Sequence, residues 1–75
     1  EAVSSNGRAD IVARHPAMVC IFELKVDEPV DAAFKQIREK GYVEPYRAET
    51  RPVWMIALSF DSKTRELVDF GVEKF

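Results

Sequence analysis

Met18-Val-Cys-Ile-Phe-Glu-Leu-Lys25 is apolar at every position through Phe22 and carries charge only at Glu23 and Lys25. A strand exposed on one side would alternate apolar and polar residues, whereas one buried on both sides reads as a continuous apolar run. The stretch therefore predicts the centre of an α/β sheet. A second run of the same kind, Val53 to Phe60, follows Arg51-Pro52. Between the two lies a helix signature spanning roughly Pro29 to Lys40. Pro29 suits a first turn, Asp27 and Glu28 bring negative charge to the positive helix end, and Gly41 supplies the stop. Val30, Ala33, Phe34 and Ile37 repeat at the spacing of one buried stripe.

Working outward, residues 1–5 predict a first strand, with Ser5-Asn6-Gly7 as the turn after it. Arg8 to Arg14 predicts a second strand, broken by His15-Pro16, because proline removes a ladder donor. Asp61-Ser62-Lys63-Thr64 is a polar turn, and Arg65 to Val72 a final, more alternating strand. The order is β-β-β-α-β-β. Short turns make the flanking neighbours antiparallel, and the helix makes the central pair a right-handed parallel crossover. The fold class is α/β, a mixed five-stranded sheet with one helix.

The chain has 75 residues, 47% of them hydrophobic, and nothing interrupts it, so residues 1–75 read as one domain. One cysteine closes no internal disulfide, and one histidine beside it builds no Cys/His zinc cluster. Eleven Lys+Arg against thirteen Asp+Glu give a net charge of −2, so a polyanion would have to be met by local geometry or a metal ion. No apolar run approaches the ~20 residues of a membrane span, and no signal-peptide pattern is visible, so the expected compartment is the cytoplasm. The chain opens on Glu1 and runs straight into strand-like sequence, which predicts a fragment of a larger domain. A sheet apolar on both sides but served by one helix predicts an uncovered face that finds a partner.

Glu23 and Lys25, two apart on one strand, point to the same face at the end of an apolar run, a costly place for charge without a task. Asp10 lies on the neighbouring strand, before a turn short enough to bring it alongside. Two converging carboxylates make a hard-oxygen site of the kind Mg²⁺ or Mn²⁺ prefers, and a lysine beside it could neutralise charge developing on a phosphate. The competing interpretation is a surface acid and an ordinary Glu-Lys ion pair. Cys20, on the face opposite Glu23, reads as a small hydrophobe, and His15 as a solvated turn residue. Trp54, Phe60 and Phe70 read as core or sheet-covering residues. Arg8, Arg14, Arg47 and Arg51 are weak candidates for phosphate contact, spread as they are among this many acids.

Gly7-Arg8-Ala9-Asp10, Ile21-Phe22-Glu23-Leu24-Lys25, and Ala33-Phe34-Lys35-Gln36-Ile37 with Lys40 and Tyr42 resemble the PD-(D/E)XK nuclease superfamily. The branch they are most similar to sits at the C-terminus of AAA-ATPase-like bacterial and archaeal proteins. The resemblance implies a restriction-endonuclease-like core and a metal-dependent nuclease acting on nucleic acid, DNA above all. It makes Asp10 and Glu23 the metal carboxylates, Lys25 the catalytic lysine and Gln36 a further catalytic residue. The backbone carbonyl of Leu24 is then an added metal ligand, with Tyr42 and Arg8 accessory. Ala9 stands where the family name has proline, and the helix that precedes the first strand in the family core is absent from this chain. The alternative is a non-catalytic interaction or nucleic-acid-docking module that keeps the nuclease fold. The expected cover for the bare face is a second copy or an upstream ATPase-like domain.

Overall fold

The two strands that read as apolar on both sides are paired at the centre of the sheet. The computed structural model describes residues 11–75. Its elements are β1 (Ile11–His15), β2 (Met18–Val26), α1 (Val30–Glu39), a 3-10 turn (Glu44–Tyr46), β3 (Val53–Phe60) and β4 (Leu67–Lys74). The sheet runs β1-β2-β3-β4. β1 and β4 are antiparallel to their neighbours, and the central β2–β3 pair is parallel, with α1 as the crossover. The mixed α/β character and these strand directions agree with the sequence.

The strand count differs. The sequence predicts a five-stranded sheet, and among the described residues the sheet has four strands. The strand expected over residues 1–5 and the turn after it lie outside the described residues. Two strand limits also move. β1 runs through His15, which pairs with Met18. Proline holds its predecessor extended, and the missing donor of Pro16 falls in the turn instead of the ladder. Within that turn the His15 ring Nδ1 accepts the Ala17 N–H at 3.0 Å. β4 begins at Leu67 because the preceding turn is longer than it reads. Asp61 N–H donates to the Glu66 carbonyl at 3.0 Å, Asp61 Oδ1 accepts the N–H groups of Lys63 and Thr64, and Arg65 takes φ +62°.

Burial decides which face of the sheet the helix covers. Along β3 the residues alternate buried and half-buried, with Val53, Met55, Ala57 and Ser59 inward. Val19, Ile21 and Glu23 do the same on β2. These side chains meet Ala33, Phe34 and Ile37 of α1, and Tyr42 and Val43 complete the core. The opposite face carries Phe22, Leu24, Trp54, Ile56, Leu58 and Phe60, all half-buried. On β4, Phe70 and Val72 are 64% and 53% exposed. The uncovered apolar face predicted from the sequence is thus present among the described residues. Cys20 belongs to it and is half-buried.

No helix among the described residues is long and apolar enough to cross a membrane.

Candidate functional site

The phase of β2 places Glu23 and Lys25 on the side that α1 covers. Glu23 is 3% exposed, and Lys25 is half-buried one step nearer the strand end. Across the parallel ladder they stand beside Ala57 and Ser59 of β3, both small and buried. A carboxylate held this deep is costly in a bare apolar setting, so its retention marks a polar site within the sheet.

From the opposite side α1 contributes Gln36, one position before the buried Ile37. Lys25 Nζ donates a short hydrogen bond to Gln36 Oε1. The same amide donates from Nε2 to the Tyr42 hydroxyl at 2.9 Å. Tyr42 reaches it because the helix ends in a Schellman turn, in which a left-handed residue folds the chain back on the last turn. Gly41 takes φ +68°, its N–H donates to the Arg38 carbonyl at 3.3 Å, and the Tyr42 N–H donates to the Ile37 carbonyl at 3.1 Å. The turn sinks Tyr42 to 3% exposure.

The structure thus brings Glu23 and Lys25 to one face and ties Lys25, Gln36 and Tyr42 into one chain. Leu24 directs its side chain to the other face of the sheet. Asp10 and Arg8 lie outside the described residues. Among the described residues, no three His, Cys, Asp or Glu side chains gather as a metal site. Ser59 is the polar neighbour that sequence reasoning missed. Its signal was a hydroxyl at an inward position of an otherwise apolar strand, and its Oγ donates to the Glu28 carbonyl at the start of the crossover.

Arg47 and Arg51 are held by Glu44 and Glu49. Arg14 donates to the Tyr46 hydroxyl at 3.2 Å and lies over its ring. The Arg47 hydrogen bonds lower the pKa of Glu44, and those of Arg51 lower that of Glu49. Near the other end of the crossover, the Ser62 hydroxyl and then its N–H hold Asp27 below the usual carboxylate range.

A profile of the PD-(D/E)XK nuclease superfamily matches residues 1–70. The chain belongs to that superfamily, and its mixed sheet with a helix-bridged parallel pair is compatible with the fold. Membership points to nuclease-type chemistry on nucleic acid, which in this superfamily usually employs divalent metal ions. The chain is 36% identical over 75 residues to a protein of Azotobacter chroococcum mcd 1 described as "Uncharacterized protein in vnfD 5'region". That match covers 97% of this chain and 14% of the relative's length. No solved structure matches the chain.

Proposed function

We propose that residues 1–75 act as a metal-dependent nuclease domain that hydrolyses phosphodiester bonds of nucleic acid, DNA in the first instance. The observation that carries this reading is the pairing of Glu23 and Lys25 on the covered face of β2, with Lys25 tied to Gln36 of α1. In a chain of this superfamily those are the positions of the acidic ligand, the lysine and the helix glutamine.

The donor set fits a hard cation: the Glu23 carboxylate, the Leu24 carbonyl and the Asp10 carboxylate are all oxygen ligands of the kind Mg²⁺ and Mn²⁺ take. Asp10 is joined to Ile11, which lies opposite Phe22, the neighbour of Glu23. A divalent ion held there would supply a more acidic bound water and offset charge on the phosphate. Lys25 contributes a fixed positive charge and hydrogen-bond donors toward a phosphate oxygen. Gln36 orients that lysine, and the packing of α1 on the sheet keeps water from its inner side. Arg8 and Tyr42 are accessory.

An upstream ATPase-like domain, or a second copy of the chain, would cover the open face of the sheet. A cytoplasmic setting suits the free thiol of Cys20.

The test uses the whole protein that carries this domain, with duplex DNA, single-stranded DNA and RNA, each in Mg²⁺ and in Mn²⁺. Cleavage that Lys25→Ala lowers by about 10²–10³ is the expected result, the size seen when a preorganised charge stabiliser is lost. Nucleic-acid binding with no cleavage under any of these conditions would overturn the nuclease and leave a docking module.

A further inference from the structure

The chemistry of the Lys25–Gln36–Tyr42 chain fixes its direction. An ammonium group has three donors and no acceptor, so only the oxygen end of the Gln36 amide can face Lys25. The NH₂ end must then point away and find an acceptor, which the Tyr42 hydroxyl oxygen provides at 2.9 Å. Turning the amide over would set donor against donor at Lys25. We infer that Tyr42 is a positioning residue: acting only through Gln36, it locks the amide so that Lys25 is gripped by a neutral acceptor.

The neutrality of that acceptor has a chemical consequence. A glutamate at position 36 would hold the ammonium at least as firmly but would cancel its charge. An amide holds it in place and leaves the charge for an incoming anion. The Schellman turn is part of the device, because Gly41 at φ +68° brings Tyr42 back onto the helix that bears Gln36. The benefit to a phosphate substrate rests on the nuclease reading, whereas the locking of Lys25 does not.

Trace acetylation of the whole protein, with each lysine followed by peptide mass spectrometry, separates the two. Tyr42→Phe keeps the ring and removes only the acceptor. It should raise the labelling rate of Lys25 roughly threefold to tenfold, as expected for the loss of one neutral hydrogen bond, here the one that holds the Gln36 amide, with Lys35 and Lys63 unchanged. Gln36→Met should raise Lys25 labelling at least as much, and adding Tyr42→Phe to it should raise it no further. Gln36→Glu should keep Lys25 protected while cleavage falls.

Unchanged Lys25 labelling in Tyr42→Phe overturns the proposal, as does an additive rise in the double variant. If Tyr42→Phe raises labelling at every lysine, the double variant decides: a Lys25 rate that, relative to Lys35 and Lys63, is no higher than in Gln36→Met supports the lock, and a higher one overturns it. Absence of cleavage by the unaltered protein would count against the nuclease alone, since the labelling does not depend on it.

Discussion

Phe34 of α1 rests directly on Gly71 of β4. A Cβ placed on Gly71 would lie 2.8 Å from Phe34 Cε2 and 3.1 Å from Cζ. This contact sets the height of the helix over the sheet, and Gln36 follows Phe34 by two residues. Gly71→Ala removes some backbone freedom from the unfolded chain, a gain of up to about 1 kcal/mol. The clash outweighs it, because Phe34 is 5% exposed and has little room to move. A net loss of about 1–2 kcal/mol is expected, read as a lower urea midpoint at unchanged slope.

Gly41→Ala is the second backbone test. The left-handed conformation at φ +68° strains any side chain by about 1–2 kcal/mol, and the new methyl would also press on Glu44 Cγ at 3.3 Å. Gly41→Asn should cost less, because asparagine tolerates this conformation. Equal melting temperatures for all three proteins would contradict this account of the helix end.

Acid sensitivity should trace in part to Asp27. Its carboxyl is held below the usual range first by the Ser62 hydroxyl and then by the Ser62 N–H. A depressed folded-state value means that the contribution is complete above the ordinary carboxylate range and is lost as pH falls through the lowered value. Glu49 and Glu44, lowered by Arg51 and Arg47, act with the same sign. Denaturation midpoints followed from neutral pH into acid should fall less steeply in Ser62→Ala than in the unaltered protein.

Metal binding gives a prediction that needs no turnover. If Asp10 and Glu23 share a divalent ion, saturating Mg²⁺ or Mn²⁺ should stabilise the fold by about 2.7 kcal/mol at one hundred times the dissociation constant. Asp10→Asn and Glu23→Gln should abolish that shift in melting temperature. Lys25→Ala should retain it while losing cleavage, which divides ligand from catalyst.

Much of this architecture is legible in the residues. Val30, Ala33, Phe34 and Ile37 mark the buried stripe of α1, and Gly41 marks its end. The two apolar runs mark the central strands. They do not say which face meets the helix, because both faces read alike, and only the odd phase of Glu23 and Lys25 hints at it. Tyr42 could be named as a family position, but its grip on Gln36 depends on a turn geometry and two side-chain rotamers that no spacing encodes. Asp10 stays an expectation of the sequence. The start of β4 is not legible, because Asp61 caps a turn with its own side chain and so prolongs to Glu66 a loop that reads as finished at Thr64.

The register slip between β3 and β4 bears on how this domain behaves in crowded solution. Ser59 pairs with Asp69 and Phe60 with Leu67, so Val68 has no opposite number and the strand is locally offset. β4 is the rim of the described sheet and exposes Leu67, Val68, Phe70 and Val72. A flat rim of that composition would template strand-by-strand growth into fibrils. The offset interrupts the row of backbone donors and acceptors that such growth needs, and Asp69, Glu73 and Lys74 set charge along the same strand. The domain can therefore keep a greasy surface available for a shape-matched neighbour while giving its own copies a poor edge to extend.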